Sequence, residues 1–278
     1  MNKNPVNNTR FLPLSVAILL LMAGWGVSLL LSLIFKAPFF SQSYSILALS
    51  LLILELVFII PTLIYVRRKR PGRSVLKLLR LNKIHNKAWP GIILFTGGII
   101  IVSDAADRIL GNWIAVPEEY LLLMGNYKWT TFPEAVLMII AACFAASFSE
   151  ECLFRGVLLQ SLEENIKNVL AAIFFSAFFF AMIHALPWYF IQIAVLGILL
   201  GGMSYLFDSV IPGIFLHSMY NLVSLLMLNF SGDATWYVAN GYVRNIWILF
   251  AGLLILAGYY SCRPFFVPPV IESEKDQI

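Results

Sequence analysis

At 278 residues, 60% hydrophobic and 12% charged, with a mean hydropathy of +0.84, the chain is far more apolar than a soluble domain, in which roughly 45–50% of residues are apolar and about 25% charged. That balance excludes a soluble globular protein and makes the lipid bilayer the expected medium. The formal net charge of +4 is no nucleic-acid signature, because the basic residues sit in short loops between apolar runs, where they set topology.

Apolar runs fall at Phe11–Phe35, Tyr44–Val66, Gly91–Leu110, Pro133–Leu159, Val169–Leu186, Trp188–Phe207, Ile211–Phe230 and Ile246–Tyr260. Each is near the ~20 residues of a helical span, which predicts an all-α polytopic bundle of about eight transmembrane helices. The first run exceeds the roughly 7–15-residue apolar core of a cleavable signal and reads as a retained span. The densest basic block, Arg67 to Lys87, belongs on the cytoplasmic side, and Lys3 and Arg10, two spans earlier, agree. Glu118 and Glu119 then lie outside and both termini inside, in a cell (inner or plasma) membrane. Within the basic block "VLKLLRLNKI" is amphipathic and is expected to lie along the interface. The tail "VPPVIESEKDQI" has nothing to pack on. Cys143, Cys152 and Cys262 form no CxxC pair and read as buried free thiols. The organisation is therefore residues 1–131, membrane helices with the basic loop 67–90; residues 132–230, a polar-seamed core; and residues 231–278, a last helix and tail.

Charges inside a span cost a few kcal/mol each and need a partner or a task. Glu55, alone in "LLILELVFII", reads as a protonated acid bonded to a neighbouring helix; Asp104 and Arg108 are spaced i,i+4 for a local pair. In "AASFSEECLFRGVL", Glu151 and Arg155 have the same spacing, while Glu150 points about 100° away and stays free of the arginine. One acid becomes a structural partner, the other an available base. His184 follows Phe180 by four positions in "FAMIHAL", and "HSMYN" puts His217 and Asn221 on one helix face. Two histidines, two acids and an asparagine in one part of the chain point to a shared site. Gly197, Gly201 and Gly202 allow close helix approach beside it.

A depth estimate gathers three of these residues. At ~1.5 Å per residue, Glu150 lies ~15 Å from an inner end near Gln160, and His217 and Asn221 ~10 Å and ~16 Å from Val210. His184 comes out ~25 Å from Lys167, about 10 Å too deep.

Glu150-Glu151-Cys-Leu-Phe-Arg155, Phe180-Ala-Met-Ile-His184 and His217-Ser-Met-Tyr-Asn221 resemble, in order, the EExxxR, FxxxH and HxxxN motifs of the CPBP family of intramembrane proteases. That family includes the type 2 CAAX prenyl proteases and their abortive-infection and bacteriocin-processing relatives. The resemblance covers Phe132–Phe230 and implies peptide-bond hydrolysis within the membrane. It implies that Glu150 and His184 activate water, that His217 and Asn221 stabilise the oxyanion, and that Glu151, Arg155 and Phe180 support the site. The implied partner is a membrane-associated protein or peptide, prenylated CAAX tails being the family's eukaryotic substrate; nothing in the sequence reveals prenyl recognition. Members are often classed as metalloproteases, and a zinc ion on Glu150, His184 and His217 is the alternative to direct glutamate/histidine activation. HExxH is absent and asparagine is a poor zinc ligand, which favours the direct route.

Two other classes compete with this reading. A proton-coupled transporter would use midplane acids and histidines as a relay, but the polar set is confined to the second half and no internal repeat is present. A non-catalytic membrane binding or immunity protein would carry the same site without turnover.

Overall fold

A backbone in hydrocarbon must satisfy its own hydrogen bonds, so the apolar runs can only be helices. The computed structural model describes residues 12–35, 44–69, 74–125, 127–230 and 234–267. The helices are α1 (Leu14–Phe35), α2 (Tyr44–Lys69), the one-turn α3 (Val75–Leu78), α4 (Trp89–Leu110), α5 (Glu118–Gly125), α6 (Phe132–Asn165), α7 (Val169–His184), α8 (Phe190–Phe207), α9 (Ile211–Asn229) and α10 (Asn245–Cys262). Among the described residues 7 helices are long and apolar enough to cross a membrane, and α7, at 16 residues, is a shorter apolar helix. A two-residue hairpin pairs Val238 with Val243 and Ala239 with Tyr242. It closes through Asn240 and Gly241, both at positive φ, as tight hairpin turns require. The three cysteines are free and buried. Lys3, Arg10 and the tail from Pro268 onward lie outside the described residues.

α6 is the axis of the fold. It is not uniformly α-helical: Ile139–Ala145 and Cys152–Leu159 are π-helical, flanking the α-helical turn Ala146–Glu151 that carries both acids. Every residue from Cys152 to Leu159 is buried, and the largest core cluster gathers around it, with Leu20 and Leu21 of α1, Phe58 and Ile59 of α2, and Ile173 and Phe180 of α7.

The helix also runs past the expected end at Leu159 to Asn165. Gln160, Ser161 and Leu162 are buried, because other segments cover them: Gln160 Nε2 donates to Leu78 O at 3.0 Å and Ser161 Oγ to Leu12 O at 2.9 Å. This removes the depth discrepancy. Glu150 and His184 stand the same number of residues from Asn165 and Val169, the helix ends that flank the connecting turn, so an antiparallel α6–α7 hairpin brings them level.

The basic loop departs from expectation. "VLKLLRLNKI" forms one helical turn and then an extended segment, and Leu78, Leu79 and Arg80 are buried. At Gly156 an added Cβ would stand 2.4 Å from Leu79 O, so only glycine lets the loop lie this close to α6. Arg80, in the left-handed region at φ 54, pairs with Glu163 at 2.9 Å and Asp208 at 3.0 Å. Its carbonyl accepts from Val210 N at 2.9 Å, and Asn82 Nδ2 donates to Asp208 O at 2.6 Å. The loop is a clamp across the end of α6 and the α8–α9 turn.

Arg80→Ala leaves Glu163 without its cation and is expected to lower stability by ~1–3 kcal/mol, measured as an earlier thermal or SDS unfolding midpoint in detergent. Arg80→Lys recovers only part of the loss, since a point charge cannot fork between two carboxylates.

Candidate active site

Two ionisable side chains on α6 are wholly removed from solvent. Arg155 and Glu151 are each 0% exposed, and Nη1 donates to Glu151 Oε1 at 2.6 Å, the i,i+4 pair expected from the sequence. Arg155 Nη2 donates to Gly197 O on α8 at 3.0 Å. A Cβ on residue 197 would meet Ala177 Cβ at 3.0 Å and Nη2 at 3.3 Å, so the missing side chain lets α8 approach both α7 and the guanidinium. Gly201 packs similarly on Ile173, whereas Gly202 faces open space. The guanidinium carbon lies 4.3 Å from the Phe180 ring centroid, a cation–π contact strengthened by the absence of water. One arginine thus joins α6, α7 and α8.

Glu151 reaches the fourth helix. Its Oε1 accepts from His217 Nδ1 at 3.2 Å, and Gly213, one turn earlier on α9, makes room: a Cβ there would stand 3.1 Å from Glu151 Oε2. With Nδ1 held, His217 Nε2 faces Glu150 Oε2 across 3.8 Å, beyond hydrogen-bond range. Glu150 Oε2 is buried and has no hydrogen-bond partner. Glu150 makes no ion pair with Arg155.

His184 completes the cluster. It is the last residue of α7; Ala185 follows in the left-handed region at φ 52. His184 Nδ1 lies 2.7 Å from Phe180 O. A carbonyl only accepts, so the ring proton sits on Nδ1 and the neutral imidazole presents an unprotonated Nε2. Phe180 packs edge-on against His184 at 4.7 Å, His217 at 5.8 Å and Phe154 at 5.1 Å between centroids, so it is the apolar hub on which both imidazoles rest.

A cavity of about 170 Å³ adjoins these groups, with Glu55, Glu150 and His184 on its polar side and Trp25, Phe58 and Ile183 on its apolar side. At ~30 Å³ per molecule it has room for a few waters. Glu55 does bond a neighbouring helix, accepting from Ser149 Oγ at 2.8 Å. Its place on the cavity wall beside Glu150 was not anticipated from the sequence. The only signal was a lone acid in an apolar helix, 94 residues from Ser149.

Asn221 is held one turn beyond His217, with Nδ2 donating to Ala142 O at 3.0 Å in the first π-helical stretch of α6. The cluster therefore unites Glu150, Glu151, Arg155, Phe180, His184 and His217, while Asn221 is tied to the α6 backbone. Asp104 and Asp107 belong elsewhere: Asp104 pairs with Arg108 at 3.0 Å and accepts from Tyr237, and Asp107 accepts from Tyr220. Among the described residues no three His, Cys, Asp or Glu side chains are grouped to hold a metal ion. Glu150, His184 and His217, the set weighed for zinc, do not meet as a three-donor site in this geometry.

Residues 132–223 match the family model described as Rce1-like, type II CAAX prenyl endopeptidase Rce1-like. No curated protein and no solved structure matches the chain.

Arg155→Ala strands a fully buried acid and is expected to cost ~3–5 kcal/mol of stability, seen as loss of folded protein by size-exclusion chromatography and a lower unfolding midpoint. Arg155→Lys should still be destabilised, because an ammonium cannot reach Glu151 and Gly197 O while stacking on Phe180.

Proposed function

The chain belongs, through residues 132–223, to the Rce1-like family of type II CAAX prenyl endopeptidases, and from that premise we propose that it hydrolyses a peptide bond of a membrane-associated protein or peptide at the Glu150–His184–His217 cluster. One observation carries the assignment: Glu150 presents a buried, unpartnered carboxylate oxygen beside a cavity that it shares with His184. A structural acid in a membrane bundle would be bonded; an acid reserved for a water molecule is not.

Amide hydrolysis needs a base for water, donors for the oxyanion and a proton for the leaving nitrogen. Water in the cavity gives a proton to Glu150 while its other hydrogen bonds to the unprotonated Nε2 of His184, which aims the oxygen at the substrate carbonyl. The oxyanion forms toward His217 Nε2–H and the second N–H of the Asn221 amide, each preorganised donor being worth ~2.7–4 kcal/mol. His217 donates from Nδ1 to Glu151, so donation from Nε2 as well requires the imidazolium. The charge count then closes: Glu150 and Glu151 are balanced by Arg155 and His217. As Glu150 takes the proton, its charge reappears on the oxyanion, so the cluster stays neutral through the step. Glu150 at that point holds a proton for the leaving nitrogen. Glu151 and Arg155 act through His217, as positioning residues.

The basic block Arg67–Lys87 sets the α6–α7 turn and the Arg80 clamp on the cytoplasmic side, and the site faces that side. A prenylated tail is one member of the substrate class; an unmodified membrane peptide is another. No step depends on a metal.

Glu150→Gln and His184→Ala are each expected to reduce cleavage by ~10²–10⁴-fold with unchanged expression and elution volume. The assay compares peptide termini in membrane fractions from cells carrying wild-type or variant protein. Wild-type cleavage by both variants would remove the protease assignment from this site. Activity of the purified protein is also expected to survive 1,10-phenanthroline; loss of activity with recovery on adding zinc would replace the direct route by a metal on Glu150, His184 and His217.

A further inference from the structure

We propose that Glu55 is a second catalytic carboxyl of this site, the proton donor to the leaving nitrogen, an inference that rests on the hydrolytic reading above. Glu55 comes from α2, outside the matched residues 132–223, and none of the sequence motifs contains it.

Three observations converge. Glu55 lines the same cavity as Glu150 and His184, so both carboxyls reach one substrate amide. Its attachment is one-sided: Ser149 Oγ donates to Oε2 at 2.8 Å, closer than its 3.1 Å contact with Ala146 O, and no other hydrogen bond to Glu55 is made among the described residues. Finally, none of the ion pairs among the described residues includes Glu55. The nearby arginine is committed to Glu151 and Gly197 O. An acid at this depth without a cation is accommodated as the neutral carboxyl. With Oε2 accepting from Ser149, the proton resides on Oε1, the oxygen without a protein partner.

The step balances. Water oxygen bonds to the carbonyl carbon as its proton goes to Glu150. When the C–N bond breaks, its electron pair stays on nitrogen, which takes the Oε1 proton of Glu55. The proton held by Glu150 then refills Glu55 through cavity water instead of travelling to nitrogen itself, and Glu150 is again a base. Ser149, adjacent in sequence to Glu150 and bonded to Glu55, keeps the two carboxyls in register.

The test uses the full-length protein in detergent with two probes. One is an internally quenched peptide built on the bond that the wild type cuts; the other is the same peptide with that amide replaced by a thioester. A thiol leaves as thiolate, with a pKa near 8.5, and needs no donated proton. Glu55→Gln preserves shape and a hydrogen bond to Ser149; it is expected to slow amide cleavage by ~10²-fold while leaving thioester cleavage within a factor of about three. Retained thioester turnover also reports that the variant is folded. Wild-type amide cleavage by Glu55→Gln would make the residue a helix contact and overturn the proposal, as would equal loss on both probes. Glu150→Gln should lose both; if it keeps both, the hydrolytic reading itself falls, a result separate from either outcome at Glu55.

Discussion

Everything at this site is hung from a guanidinium that never meets water. Arg155 and Glu151 together bond or stack on groups from α7, α8 and α9, so the pair is less a local helix contact than a four-helix junction. In a bilayer, helix association gains nothing from squeezing water off apolar faces, because lipid is as apolar as leucine. Directional contacts must then fix the register, and here one arginine supplies them. A charged pair this deep is costly unless each hydrogen-bonding position is used, and the glycines at 197 and 213 admit a backbone carbonyl and a neighbouring helix to where side chains would stand. The cost of burial and the precision of the site have the same origin.

The same junction explains how adjacent acids acquire different tasks. Neighbouring residues on a helix diverge by about 100°, so Glu150 and Glu151 cannot bond the same atom of a partner. The His217 imidazole spans the divergence instead, with Nδ1 on Glu151 at 3.2 Å and Nε2 toward Glu150 at 3.8 Å. The bonded acid orients the ring; the gap at the other nitrogen is where water or an oxyanion fits. Moving the arginine by one position would reverse the roles.

What the sequence disclosed was governed by how local each interaction is. Glu151–Arg155 and Asp104–Arg108 were legible as i,i+4 pairs because helix geometry alone brings them together. Arg80 was not, because a cytoplasmic basic block already has a sufficient explanation in topology, and nothing in its composition distinguishes the one residue that turns inward to Glu163 and Asp208. The end of α6 was misplaced for a related reason. Gln160, Ser161 and Glu163 look like the polar edge of a span, yet the clamp covers them and keeps the helix intact to Asn165. Placing His184 level with Glu150 depended on that end, so an error about a loop became an error of depth at the site.

The π-helical stretches remain to be connected to chemistry. A widened turn shifts the hydrogen-bond register of the backbone, and both stretches border the turn that carries the two acids. In the first, Ala142 O accepts the Asn221 amide, so an irregularity of α6 is the anchor for the α9 residue one turn beyond His217. In the second, the i,i+4 pair and the close passage of Leu79 over Gly156 occur together, tying the register of the acids to the clamp outside. A regular α-helix over this length would rotate one end relative to the other and could satisfy α9 or the clamp, but not both. The departures from α geometry are therefore what allows a single helix to hold an asparagine on one side of the acids and the cytoplasmic loop on the other.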